Sequence, residues 1–497
     1  MSRELLDSYL RDESRKGPVP DDAYTGAAGG AACGDLSRIS IVLEDGRIAA
    51  VSFDAEGCGA ARAASAAVAE MVDGETLLEA ARIGGGEVEE ALGGLTPAKR
   101  HAAQLAADAL HRALAAAAAS DERLTPRGAG ARGNGAAPCE RVLVAMSGGV
   151  DSAVAALLER ERGAETLGVT LKLWADPETD GAKACCSPQA VLGARALAHS
   201  LGLPHLTLDL EQKFRQRVVG AFLAGHAAGA TPNPCIVCNG ELRIAAMLDL
   251  AARLGAARLI TGHYARIVDD GDGPLLAAAA DRAKDQSYML AALPPALLGG
   301  LRFPLTELSK GEVREIAARH GLAVARKPES QDLCFLAGQG KRRFLRRHGG
   351  LGERTGAVLD RSGRTIGSHS GHHNFTVGQR RGIGVSAAEP LYVLATDATA
   401  NTVTVGTREE LAARRVRVRD AVLHRDGGRV DAVRLRYRSR PVPAAVSAAG
   451  TGRHAELEVE LGEAFDAASP GQTAVLLSGE AIVGHGTIAG PAGRVPK

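Results

Sequence analysis

The sequence predicts a multi-domain chain: an α+β module first, then an α/β domain on a parallel sheet, a small central domain and a C-terminal β-barrel. Three observations predict it. From residue 142 short apolar runs alternate with helical segments. Beyond about residue 350 the texture changes to short alternating segments broken by Gly. Between the first module and the rest, ASDERLTPRGAGARGNGAAP carries no periodicity and reads as a linker. The expected divisions are 1–118, the linker 119–138, then 139–345, 346–415 and 416–497.

In the first module, SRISIVLEDGRIAAVSFDAEG reads as two strands around an Asp-Gly turn, followed by an Ala-rich helix from residue 60. A second helix starts near residue 97, with Thr96 as its cap and Pro97 at its first position.

The α/β domain opens with the buried-strand pattern of 142–146 and a helix at 153–162. Strands at 166–174, 205–210 and 257–267 and helices at 189–201 and 240–253 continue the alternation, which implies right-handed crossovers in a parallel sheet. Between the first strand and helix stands Ser147-Gly148-Gly149-Val150-Asp151-Ser152. A helix N-terminus offers free N–H groups and a positive dipole end, the glycines allow close backbone approach, and the hydroxyls add donors. This is a phosphate site at the carboxyl edge of the sheet. It lacks the Lys of a P-loop and the GxGxxG of a dinucleotide fold. SGGVDS instead resembles the pyrophosphate loop of enzymes that split ATP into AMP and pyrophosphate.

The segments YVLATDATANTVTVG, VRLRYRSRPVPAAVS, AELEVELG, TAVLLSG and AIVGHGTIAG give the β-rich end of the chain. The net charge of +1 conceals an asymmetry: residues 1–138 hold 14 Lys/Arg against 21 Asp/Glu, the remainder 45 against 37, so that only the second part favours a polyanion. Within it, KRRFLRRH (341–348) and GQRRG (378–382) concentrate cations, either as a solvated face or as a phosphate track. No apolar run has the length of a membrane span and MSRELLDSYLRDESRKG is not a signal sequence, so the expectation is a cytoplasmic chain without a membrane partner. In such a chain the eight cysteines (33, 58, 139, 185, 186, 235, 238, 334) argue for metal or catalytic sulfur over structural disulfides.

Cys235 and Cys238 form a CxxC in TPNPCIVCN, and Cys334 lies far off in KPESQDLCFL. No second CxxC exists to complete a zinc site, which leaves persulfide chemistry or a three-thiolate cluster. VLVAMSGGVDSAVAALL, TPNPCIVCN, TGHYARI, KDQSYML, KPESQDLCFL, GHHNFTVGQRRGIGV and VRLRYRSRPVPA follow in one order. Over about 141–490 the chain thus resembles the bacterial tRNA-specific 2-thiouridylases, ATP-dependent sulfurtransferases acting on the wobble uridine. The resemblance implies an ATP-pyrophosphatase domain in which Ala145, Met146, Ser147, Gly148, Gly149, Val150, Asp151 and Ser152 hold the phosphates with Mg²⁺. Leu171, where the family often has Met, and Gly262 would line the adenine pocket. Asn233, Pro234 and Cys235 would face the target base, and His263, Lys284, Asp285, Gln286, Arg436, Tyr437 and Gln472 would position tRNA. Cys238 would be the nucleophile and Cys334 the persulfide carrier, ending the cycle as a disulfide. Many relatives carry Asp where Cys235 stands, so Cys235, Cys238 and Cys334 could instead ligate a [4Fe–4S] cluster.

AACGD (31–35), GCGA (57–60) and TPAKRHAAQL (96–105) resemble the iron–sulfur cluster assembly scaffold domain over about 20–115. Cys33, Asp35 and Cys58 match its ligands, whereas its third cysteine is Ala102 here. With His101 they offer four ligands for Zn²⁺ or Fe; the alternative is a docking surface for a cysteine desulfurase, the sulfur donor that, with a relay protein, the resemblance implies. A scaffold or carrier with a regulatory nucleotide domain is the second function class these residues leave open.

Overall fold

The computed structural model describes residues 3–30, 34–122, 124–125, 139–176, 188–328, 333–336, 338–447, 449–466 and 468–490. The first module pairs β1 (Tyr24–Gly29), β2 (Leu36–Glu44) and β3 (Arg47–Glu56) in an antiparallel sheet of that order. Its Asp45-Gly46 turn has φ of +49° and +74°, the two positive values a tight hairpin of this twist needs. Helices Gly59–Val72 and Arg100–Ser120 cover the sheet. Their alanines let backbones approach closely: a Cβ on Gly26 of β1 would collide with the Ala109 carbonyl oxygen. Thr96 and Pro97 open a 3₁₀ turn, Pro97–Lys99, that runs into the long helix; Thr96 makes no side-chain cap, contrary to expectation.

The second domain holds β4 (Arg141–Ala145), β5 (Glu165–Lys172), β6 (His205–Asp209), β7 (Arg258–Thr261), β8 (Arg266–Asp269), β9 (Pro274–Ala277) and β10 (Leu301–Arg302). Five of these form a parallel sheet in the order β10-β7-β4-β5-β6, flanked by helices Val150–Glu161 and Pro188–Ser200. The single strand expected over 257–267 is two strands in two sheets. β7 stays in the parallel sheet, the chain turns at Gly262–Ala265, and β8 pairs with β9 in the sheet that forms the barrel. The helix expected from 240 starts at Pro234 and passes through a π turn, Asn239–Arg243, before Ile244–Arg253.

The central domain is a four-stranded sheet of β11 (Gly356–Leu359), β12 (Thr365–His369), β13 (Tyr392–Asp397) and β14 (Thr402–Gly406). The barrel follows with β15 (Ala412–Leu423), β16 (Ala432–Arg434), β17 (Val442–Val446), β18 (Gly452–Asp466), β19 (Thr473–Ser478) and β20 (Ala481–Ile488), and pairing of β15 with β20 closes it. β9 adds to β20 through Ala277 and Ala481, so the barrel is stitched to the nucleotide domain by backbone pairing. Among the described residues no helix is long and apolar enough to cross a membrane.

Candidate functional site

β4 is an apolar strand between two neighbours, so it delivers its C-terminal loop to a fixed place. Gly148 has φ +69°, and its missing side chain faces the backbone of helix Pro188–Ser200, where a Cβ would lie 3.5 Å from the Ala194 nitrogen. Ser152 Oγ donates to the Gly149 carbonyl (3.0 Å) and accepts from Ser147 N–H (3.2 Å), which folds the loop back on the helix start. Gly149 is the N-cap and supplies no side-chain acceptor, so the first-turn amides keep their donors for an anion. Gly262 explains itself sterically: a Cβ there would lie 2.7 Å from the Asp151 carbonyl carbon and 2.8 Å from Ser152 N. Met146 and Leu171 are both buried beside this loop, on β4's exit and on β5.

Asp151 is gripped by residues that sequence reasoning missed. Lys310 Nζ reaches its two oxygens at 2.6 and 2.8 Å, and Tyr264 OH donates to it at 2.9 Å. Lys327, at the start of the KPESQDLCFL block, donates to the Gly148 carbonyl at 2.9 Å. A signal for Lys310 existed. Ser309 and Glu312 form a capping box, and a Lys at the first position of a helix opposes the dipole unless an anion faces it. Two ammonium groups, two hydroxyls and an uncapped helix start around a glycine loop suit a polyphosphate. Mg²⁺ would share Asp151 with Lys310.

The cysteines stand on two elements. Asn233 caps helix Pro234–Cys238, its Oδ1 accepting from Cys235 N–H at 3.2 Å; Cys235 is half-buried and Cys238 buried. The π turn that follows packs Asn239 onto the Met289 carbonyl (2.9 Å), and such turns recur at functional sites. Cys334 is half-buried in a turn whose next residue, Phe335, is buried among Phe222 (5.1 Å between rings), Phe344 (4.9 Å) and Trp174 (6.5 Å). Phe344 and Leu345 turn inward from helix Lys341–Gly349, and Arg347 and His348 pair with Asp176. The basic run is therefore partly an anchor for the Cys334 turn. No disulfide joins the described cysteines; Cys185 and Cys186 lie outside the described residues.

The residues expected to position tRNA divide into inward and outward groups. Asp285 is buried, taking Arg434 at 2.9 Å and Ser287 Oγ at 3.0 Å. Gln286 clasps Tyr264, accepting its N–H on Oε1 (3.0 Å) and donating its own to the Tyr264 carbonyl (2.8 Å). His263 Nδ1 meets Thr261 Oγ1 at 2.8 Å, and desolvation pushes its pKa down to about 3. Gln472 donates to the Thr231 carbonyl at 2.6 Å and fastens the barrel to the segment before Asn233. Arg436 is exposed, Tyr437 stacks 6.0 Å from Tyr288, and Lys284 is half-buried. At the joint of these two domains lies a cavity of about 610 Å³ lined by Arg282, Arg434, Arg438 and Arg440 and by Glu480 and Asp285, which pair with Arg282 and Arg434. Arg438 holds φ +62° over the Tyr437 ring.

In the first module Asp35, Cys58 and His101 bring their ligand atoms within 4.8 Å of one another, the one such group of three among the described residues. His101 Nε2 is 2.9 Å and Cys58 Sγ 3.3 Å from Asp35 Oδ2, while Cys58 N–H donates to Oδ1 at 2.8 Å. That backbone bond, ahead of His101, holds the Asp35 carboxyl below its usual range. Gly57, at φ +110°, is obligatory because a Cβ would collide with Asp35 Oδ1. Thiolate, carboxylate and imidazole on one point suit Zn²⁺ or Fe²⁺. Cys33 lies outside the described residues, and Ala102 is fully buried in the helix.

Comparison with known proteins fits this architecture. Family models match in series: NifU-like N terminal domain over 2–122, tRNA methyl transferase HUP domain over 140–338, its PRC-barrel domain over 342–407 and an aminomethyltransferase beta-barrel domain over 410–488. The bifunctional protein NifU/MnmA of Rubrobacter xylanophilus is 45% identical over 487 residues, 97% of both chains. This chain belongs to the NifU/MnmA family. The tRNA-specific 2-thiouridylase MnmA of Acidithiobacillus ferrooxidans is 42% identical, covering 71% of this chain and 99% of its own length. The NifU/MnmA relative thus matches nearly the whole chain, and the MnmA relative 71% of it. A 4-thiouridine synthetase solved with RNA and ATP aligns to 40% of the chain at 19% identity, with a TM-score of 0.26 over 46% of that protein.

Proposed function

We propose that the chain is an ATP-dependent tRNA-uridine 2-sulfurtransferase, acting at the wobble position, with a metal-binding scaffold module fused in front. The observation that carries this reading is the similarity over 97% of a NifU/MnmA relative. It is supported by a phosphate loop whose Asp151 is held by Lys310 and Tyr264.

The uridine C2 carbonyl is a poor electrophile, so its oxygen must first become a leaving group. Attack of O2 on the ATP α-phosphorus breaks the bond to pyrophosphate. Ser147, Ser152 and the helix amides hold the departing phosphates, while Lys310 and Lys327 neutralise charge that grows in the transition state. Asp151 would hold Mg²⁺, which would supply further charge neutralisation. Asn233, Pro234 and Cys235, at a helix start, face the base. The terminal sulfur of a Cys334 persulfide then attacks C2. Cys238 attacks the Cys334 sulfur and breaks the S–S bond, the freed sulfur expels AMP, and a Cys238–Cys334 disulfide remains for an outside reductant. Sulfur reaches Cys334 from a cysteine desulfurase or a relay protein. Arg436, Tyr437 and Lys284 position tRNA beside the cavity, where Arg282 and Arg434 are themselves paired with Glu480 and Asp285, and Gln286, His263 and Gln472 shape the surface from behind.

A metal-bearing first module is favoured by the convergence of Asp35, Cys58 and His101. That accompanies thiolation in this reading and does not replace it. The test is reconstitution: purified full-length chain, unmodified tRNA, ATP, a desulfurase and cysteine, read by mass spectrometry of nucleosides. The expected product is wobble 2-thiouridine with matching AMP and pyrophosphate. AMP without thiouridine, or sulfur placed on another base, would overturn the assignment.

A further inference from the structure

The first module is docked on the nucleotide domain at the sheet edge two strands from β4. The Ala81 carbonyl accepts from His205 N–H of β6 at 3.0 Å and meets His199 Nε2 at 3.1 Å. Arg82 donates to the Gly202 carbonyl at 2.7 Å. Asp108 of the long helix pairs with Arg195 of helix Pro188–Ser200, whose side chain is only 6% exposed. Arg195 directly follows Ala194, the residue against which Gly148 of the phosphate loop rests.

From the docking edge a hydrogen-bonded path runs to the same loop. His205 Nε2 lies 2.8 Å from Thr170 Oγ1, which lies 2.7 Å from the Met146 carbonyl oxygen. A hydroxyl has one proton, and a carbonyl can only accept. Thr170 therefore donates to Met146, and His205 must carry its proton on Nε2 and donate to Thr170. Complete burial keeps this imidazole neutral, its pKa driven well below the ordinary value. The direction His205 to Thr170 to Met146 is fixed by proton count, and Ala81 holds the main chain of the same His205.

We propose that the first module is a positioning element of the nucleotide site: docked through Ala81 and the Asp108–Arg195 pair, it sets His205 and Thr170, which hold the Met146 carbonyl and so the phosphate loop. The inference rests on the nucleotide reading of that loop. His205 and Thr170 touch no substrate; they act through Met146. The coupling is reciprocal, so ATP tightens the docking by the factor that docking tightens ATP.

The test measures the ATP dissociation constant of the full-length chain by equilibrium binding, alongside kcat and KM for ATP in tRNA-dependent pyrophosphate release. Thr170→Val removes the hydroxyl at constant shape and leaves a buried carbonyl unsatisfied. It should weaken ATP by roughly tenfold and raise KM more than it lowers kcat. Thr170→Ser should restore both. His205→Leu should behave like Thr170→Val, and His205→Gln, which keeps an N–H donor, should recover most of the loss. At the docking face, Asp108→Arg or Arg195→Asp alone should weaken ATP and the double reversal should recover it. Unchanged ATP affinity in Thr170→Val or in the single reversals overturns the proposal, as does equal loss in Thr170→Ser. Wild-type chain that binds no ATP would instead overturn the nucleotide reading itself.

Discussion

In the first module Asp35, Cys58 and His101 converge within 4.8 Å; in the second domain Cys235 and Cys238 share a helix start while Cys334 sits on a separate turn, and no comparable group forms there among the described residues. The contrast follows from what each chemistry needs. A metal requires ligand atoms aimed at one point, so Asp35 is oriented by the Cys58 backbone and Gly57 yields the space. A sulfur relay requires thiols that approach substrate and each other in sequence, so they are carried on separate elements. In the proposed reading one arrangement is a static coordination point and the other a pair of reactants.

The largest expected effect breaks the relay. Cys238→Ala and Cys334→Ala should each reduce thiolation to background in the reconstituted reaction, with metal content of the first module unchanged. Cys235→Ala should retain activity, because both relay thiols remain. Loss of activity together with iron in Cys235→Ala would replace the relay with a three-thiolate cluster and erase the contrast between the two sites.

An intermediate effect is expected at the convergent site. His101→Ala removes one of three gathered ligands and should weaken Zn²⁺ or Fe²⁺ binding by at least about tenfold, measured by competition with a chromophoric chelator. Unaltered affinity would reduce the Asp35–His101 contact to an ion pair.

The smallest effect is on stability against pH. Burial holds His226 and His263 near pKa 3 and His424 and His485 near 4. An unfolded chain binds their protons from about pH 6.5 downward and the folded chain does not, so stability falls as pH drops from 6.5 towards 4. Each contributes a loss of up to about 1.4 kcal/mol per pH unit. Asp35 acts in the same direction but in a lower pH window: its lowered carboxyl keeps its stabilising contribution above about pH 4 and loses it on further acidification. Thermal unfolding from pH 7.5 to 5 should therefore show a falling midpoint, and a flat profile would contradict the buried neutral histidines.

Much of the site was legible because it is local. An apolar run into SGGVDS places a phosphate loop at a strand end, two cysteines three apart sit on one helical turn, and Asp-Gly between alternating segments makes a hairpin. Periodicity and turn chemistry act over a few residues, and they fixed the module order and the barrel at the end of the chain. The tertiary structure decided what depends on distant partners. Lys310 meets Asp151 across 159 residues, and Gln472 meets Thr231 across 241. The 257–267 stretch split because Gly262 must pass against Asp151 while the residues after it are drawn into the barrel sheet. Asp285 and Gln286, expected to position tRNA, are themselves held by Arg434 and Tyr264. Such pairings cost loop closure and desolvation that only the assembled core offsets, so no short window of sequence displays them.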